Sequence, residues 1–127
     1  MRAFIDSDIL IWHLRGEPKA LKFLNKMLRS NEYELWIGAM QRAEVIFFMK
    51  PHEEDATELF LAQFQTSPVD RTIVDSAGKI YRKWNPSHGI DINDALLAST
   101  AMESGGHIFT LNRKHYPMPE VIVKKAW

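Results

Sequence analysis

Residues 1–16 read MRAFIDSDILIWHLRG, and the reading of this stretch decides the fold. Ala3 to Ile5 form a short apolar run that stops at Asp6, followed by Ser7, Asp8 and a second apolar run from Ile9. A run this short and without polar alternation is predicted to be a buried strand. The segment Ile9–Arg15 is then a helix stopped by Gly16. The same alternation continues along the chain. Pro18–Arg29 is predicted as a helix, with Pro18 in its first turn and Leu21, Leu24 and Leu28 at helical spacing. Leu35–Ile37 is a second buried strand, Met40–Met49 a helix ended by Pro51, and His52–Phe64 an amphipathic helix with Leu59, Phe60 and Phe64 on its apolar side. Ser67–Val69 is a short strand. Asp70 caps a helix over Arg71–Trp84, and Asn85, Pro86, Ser87 and Gly89 form a loop. A helix rich in small residues, Ile92–Glu103, is stopped by Gly105 and Gly106. His107–Thr110 is a third strong strand and Val121–Val123 a weaker last one. Short apolar strands separated by helices predict an α/β fold with a mostly parallel central sheet covered on both faces.

The 127 residues match the length of one ordinary domain, and 46% of them are hydrophobic, enough for a core without disulfide or metal staples. The chain has no cysteine, which excludes thiol nucleophiles and cysteine-ligated zinc or iron–sulfur centres. Sixteen basic residues balance sixteen acidic ones, so no global field attracts nucleic acid and any such contact must be local or metal-borne. No signal-peptide pattern or membrane-length apolar run is present, and a cytoplasmic protein with no membrane association is expected.

In a parallel α/β sheet, ligands bind at the carboxyl ends of the strands. Asp6 stands there, directly after the first strand, with Ser7 and Asp8 beside it. Capping of the next helix accounts for one of these groups, and Asp8 is read as that cap; it does not account for both acids. Glu44 lies inside a predicted helix among Met40, Phe47 and Phe48. A carboxylate on such a face reaches solvent at its margin, pairs with Arg42, or holds a cation. Asp94 begins the helical run DALLASTA, with Asp91 three residues earlier, and one acid there is a cap. Thr110 ends the third strand, beside Asp6 if the two strands are neighbours, and is followed by Asn112, Arg113, Lys114 and His115. Asp6, Glu44 and Asp94 therefore come from three elements and are expected to converge on one edge. Oxygen donors of this kind suit Mg²⁺, with Mn²⁺ as the alternative, and a centre of that type activates water for phosphodiester cleavage.

FIDSDIL around Asp6, AEVIF around Glu44, DALLASTA from Asp94 and GGHIFTLNRKHYP around Thr110 together resemble the PIN-domain ribonucleases, and among them the VapC-type toxins of toxin–antitoxin pairs. The order agrees along essentially the whole chain, so one PIN-like domain over 1–127 is expected. The resemblance implies an α/β/α sandwich and a Mg²⁺-dependent endoribonuclease. It makes Asp6, Glu44 and Asp94 catalytic, with Asp6 and Asp94 at the metal, and gives Ser7, Thr110 and Asn112 supporting places. Many members carry a fourth acid near Asn112; this chain does not, which argues against a second tightly held metal. Arg113 and Lys114 adjoin the site and are candidates for substrate phosphates. The resemblance further implies an RNA substrate, a homodimer and a small antitoxin partner. The apolar run Val45–Met49, which no single helix face buries, and Trp12 suit such contacts. Two other readings remain at this level: a non-catalytic interaction module, whose acids only cap helices, and a phospho-acceptor signalling domain, which lacks a well-placed acceptor aspartate and lysine.

Overall fold

The computed structural model describes all of residues 1–127. Its first half runs β1 (Arg2–Ile5), α1 (Ser7–Leu14), α2 (Pro18–Arg29), β2 (Glu34–Gly38), α3 (Ala39–Ile46) and, after a 3-10 turn over Pro51–Glu53, α4 (Glu54–Leu61). The second half runs β3 (Gln65–Ser67), α5 (Arg71–His88), α6 (Ile92–Ser104), β4 (His107–Thr110), a 3-10 turn over Arg113–His115, and β5 (Ile122–Lys125).

The five strands form one sheet in the order β3-β2-β1-β4-β5, and every pairing is parallel. From β1 the chain builds outward to β2 and β3 on one side, then returns to add β4 and β5 on the other. The order therefore reverses between β1 and β4, and a crevice opens at their carboxyl ends. Side chains along the strands alternate between two cores. Ala3, Ile5, Leu35, Ile37 and Phe109 pack with α1 to α4, while Phe4 and Ile108 pack with α5 and α6. This is the expected α/β/α sandwich.

Several boundaries differ from the sequence expectation for identifiable reasons. Helix α1 starts at Ser7, not Ile9, because Asp6 itself is the N-cap and accepts from Ser7 N at 2.8 Å. Helix α3 ends at Ile46, because Lys50, which precedes Pro51, is extended and the chain must unwind ahead of it. Its continuation leaves Phe47 and Phe48 79% and 82% exposed. Helix α4 is shorter than predicted, and Leu59 is exposed while Phe60 and Phe64 are buried. Strand β3 starts two residues early; the imide nitrogen of Pro68 has no proton for a ladder, so pairing ends at Ser67. The buried face of α2 is Ala20, Phe23, Leu24 and Met27, which leaves Leu21 and Leu28 exposed. The predicted loop from Asn85 is instead the last turn of α5, which passes through Pro86. One proline removes one intrahelical bond, and the helix stops where Gly89 adopts a left-handed φ of 62°.

Gly106 lets α6 return to the sheet. A Cβ there would lie 2.6 Å from the buried ring of Phe4 and 3.0 Å from the carbonyl oxygen of Arg2. Phe4 is fully buried between sheet and helices and has no room to withdraw. Gly106→Ala is expected to lower stability by about 1–3 kcal/mol through overpacking. Urea unfolding measures it, and an unchanged midpoint would contradict the packing described.

Candidate active site

Asp6 follows the last paired residue of β1, and its N–H donates to the Phe109 carbonyl at 3.0 Å, which extends the β1–β4 ladder by one residue. Thr110 comes next on β4 and is therefore placed beside Asp6. Its hydroxyl donates to Asp6 Oδ2 at 2.9 Å, and the Tyr116 hydroxyl donates to the same oxygen at 2.7 Å. With Ser7 N on Oδ1, this nearly buried carboxylate is fixed by three donors. Burial, and then the charge of Asp6, push the Tyr116 phenol well above its usual value, so it stays protonated and remains a donor.

Glu44 projects from α3 and accepts from Ser7 Oγ at 2.9 Å and from Asn93 Nδ2 at 3.1 Å. These neutral donors hold it, and Arg42 turns instead toward Thr66 Oγ1 at 3.4 Å. Burial, with the nearby charges of Asp6 and Asp91, raises the Glu44 pKa even though the two hydrogen bonds oppose the shift.

Asp94 and Asp91 form a reciprocal capping box at the start of α6. Asp94 N donates to Asp91 Oδ1 at 2.7 Å, and Asp91 N donates to Asp94 Oδ2 at 3.1 Å. Asp91 is thus the cap, and Asp94 is the acid turned inward. Burial is the first cause of an Asp94 pKa pushed up to about 7. His115 Nδ1 approaches Asp94 Oδ2 at 3.7 Å, and His115 Nε2 is 3.0 Å from the Asn112 amide nitrogen.

Asp8 is more than the cap expected for it. One of its oxygens accepts from Ile9 N, but the other receives Leu111 N at 3.0 Å and lies 3.2 Å from the Thr110 hydroxyl. Burial, and then the charge of Asp6, raise its pKa. Thr110 has one proton to share between two carboxylates, and it accepts in turn from Asn112 N at 3.1 Å.

The site residues expected from the sequence thus meet at one end of the sheet, with Asn112 on the rim and Arg113 and Lys114 exposed beside it. They do not make a closed cage, since no three Asp, Glu or His side chains stand close enough for a ready-made three-ligand metal centre. Hard carboxylate oxygens with no Lys or Arg paired to them still fit Mg²⁺, which keeps several waters and needs only one or two protein carboxylates. Two contributors were missed from the sequence, Tyr116 and Asn93. Tyr116 sits in the polar stretch after β4, where its aromatic ring reads as core. Asn93 is the immediate neighbour of Asp94, and adjacency to a candidate acid was the one available signal.

A model of the PIN domain matches residues 3–120, and the chain belongs to the PIN-domain family. It is 33% identical to Ribonuclease VapC19 of Mycobacterium tuberculosis over 115 residues, covering 90% of this chain and 91% of that protein. Ribonuclease VapC10 of the same organism is 35% identical over 117 residues, 91% and 86% of the respective chains. Among solved structures, a chain of a toxin–antitoxin complex from Klebsiella pneumoniae superimposes with a TM-score of 0.80 at 21% identity, covering 98% of both chains, and so shares the fold.

The raised pKa of Asp94 has a consequence for stability. Burial penalises its charged form, so its contribution is fully present below the pKa of an unfolded aspartate and is lost as pH rises through about 7. In EDTA at about pH 8, Asp94→Asn is expected to raise the melting temperature, by about 1–2 kcal/mol of stability. The gain should shrink as pH falls from 7 toward 4 and vanish below the 3.8 of an unfolded aspartate, where the position is neutral in both states of both proteins. Scanning calorimetry across this range checks it, and a lower melting temperature for the variant at pH 8 would refute the electrostatic account.

Proposed function

We propose that the protein is a Mg²⁺-dependent endoribonuclease of the VapC type, the toxin of a toxin–antitoxin pair, with 1–127 acting as one cytoplasmic domain. The observation that carries this reading is the gathering of Asp6, Glu44 and Asp94 at the strand ends of a chain whose relatives are named ribonucleases. Asp6 and Asp94 would hold the cation, which, when bound, supplies charge neutralisation at a phosphate and lowers the pKa of a coordinated water. Mn²⁺ would substitute.

This chain's own residues set the geometry for that chemistry. Thr110 and Tyr116 orient one oxygen of Asp6 without removing its charge. Ser7 and Asn93 hold Glu44 so that its carboxylate faces the same edge, and its raised pKa suits a group that orients a water or takes its proton. Asn112 tethers His115, which lies against Asp94. Arg113 and Lys114, exposed on the 3-10 turn beside Asp94, contact the substrate phosphates flanking the cut.

An antitoxin partner is supported by a hollow of about 320 Å³ between α1, α3 and α4, lined by Ile11, Leu14, Val45 and Phe48 together with Glu44. No helix of this chain covers Phe47 or Phe48. An apolar helix seated there would abut Glu44 and obstruct the site. The same exposed apolar residues support a homodimer, which light scattering measures.

With Mg²⁺, the protein is expected to cut structured RNA and to stop in EDTA. Asp6→Asn, Glu44→Gln and Asp94→Asn should each slow cleavage by about 100-fold or more, while Thr110→Val, one step removed, should cost about 10–100-fold. Single-turnover cleavage with circular dichroism checks both rate and fold. Undiminished cutting by the Asp6 and Asp94 variants would overturn the assignment. Expression alone should arrest growth of a bacterial host, and co-expression with the cognate small antitoxin should restore it; harmless expression would remove the toxin reading and leave the nuclease one.

A further inference from the structure

Away from the carboxylates, a groove of about 650 Å³ runs between α2 and β5. Its floor is aromatic. Phe23 and Phe109 lie buried at the base, and half-buried Tyr33 and Trp127 form the walls. The Tyr33 ring meets Phe109 edge-on at 5.2 Å, and Trp127 is tilted against Phe23 at 6.2 Å. Its rim is basic. Lys19, Lys22 and Lys26 follow one another along α2, and Lys124 and Lys125 face them from β5, against the single carboxylate of Glu32.

This is a strong local imbalance in a chain with equal numbers of acids and bases. None of the five lysines is within ion-pair distance of a carboxylate, since the one such contact in the protein is His115 with Asp94. Lys124 is the only one with a polar side-chain partner, the Tyr33 hydroxyl at 3.2 Å. The groove also borders β4, the strand that ends in Thr110. Lys125 lies opposite Thr110 in the β4–β5 register, and Ala126 N donates to the Thr110 carbonyl at 3.0 Å. Thr110 is the residue that holds Asp6.

We infer that this groove is a binding track for single-stranded RNA, in which the α2 and β5 lysines take backbone phosphates and Trp127, with Tyr33, stacks an unpaired base. The inference rests on the ribonuclease reading and extends it from the cut itself to the strand leading away from it. Unstacked bases resting on aromatic faces, with cations along the backbone, are the usual physics of single-strand recognition. An acidic peptide would use the lysines but offers no nucleobase ring to stack on the half-buried Tyr33 and Trp127.

The test measures anisotropy of a fluorescein-labelled, unstructured 12-nucleotide RNA in EDTA, where binding is read without cleavage. Lys22→Gln with Lys26→Gln should weaken binding about tenfold and reduce the slope of log K against log salt by about 1.4, two phosphate contacts' worth on a single strand. Trp127→Ala should weaken it at least about fivefold, with Trp127→Phe recovering most of the loss. Lys79→Gln, exposed on α5 across the sheet from the groove, should bind as the unaltered protein does. Unchanged affinity and salt slope in the lysine variant would overturn the groove, as would a glutamate-rich peptide binding more tightly than the RNA. Mg²⁺-dependent cleavage by the unaltered protein is scored separately. If it cuts nothing while the groove variants still lose binding, the ribonuclease reading fails and the track stands.

Discussion

The arrangement depends on one oxygen atom. Asp6 Oδ2 receives the hydroxyl protons of Thr110 and Tyr116, residues 104 and 110 positions further along the chain. Neither contact exists unless β4 lies beside β1 in parallel and in the observed register. A slip of one residue would turn Thr110 to the opposite face of the sheet, toward α1 to α4 and away from Asp6. The two cores fix that register, because Phe4 and Ile108 must face one layer of helices while Ile5 and Phe109 face the other. Apolar burial, a non-directional force, in this way sets a polar contact to a few tenths of an ångström.

Around that oxygen the protein concentrates charge it would otherwise avoid. Asp8, Glu44 and Asp94 all hold their protons more tightly than free carboxyls, with burial as the leading cause and the charge of Asp6 adding to it in each case. The compensation comes from neutral donors: Ser7, Asn93, Thr110, Tyr116 and the backbone amides of Ile9, Leu111 and Asp91. Neutral donors orient carboxylates without discharging them, so the site keeps its affinity for a cation. A lysine paired to each acid would give a more stable protein with nothing left to offer a metal.

Charge is also segregated across the molecule. The zero net charge conceals an acidic crevice at the ends of β1 and β4 and a basic groove along α2 and β5, on adjacent strands where Thr110 pairs in register with Lys125. A polyanion held by the groove would be led toward the edge where a bound cation offsets the carboxylates. The exposed Phe47 and Phe48 lie elsewhere, on the α3 side near Glu44, so partner contact and strand contact use different surfaces.

Much of this was legible in the sequence. The apolar triplet before Asp6, the Pro18 start of α2, the Asp70 cap and the strand His107–Thr110 are local signals that fix local structure, and their alternation determined the α/β class. Asp6, Glu44 and Asp94 stood out because each is a carboxylate where burial predicts none. Other features were outside its reach. Which leucines of α2 face inward depends on where the sheet lies, so Leu21 and Leu28 were misplaced although the helix was not. The last turn of α5 passes through Pro86 because a single absent hydrogen bond costs less than the packing and the Gly89 cap return. The partners of Asp6 and Glu44, Tyr116 and Asn93, and the meeting of α2 lysines with β5 lysines all join residues distant in the chain. Sequence determined the elements and the acids they carry, since propensity, capping and burial pattern act over a few residues. Only the tertiary structure decided which neutral donors meet those acids and which cations share a groove, because strand order and register set those distances.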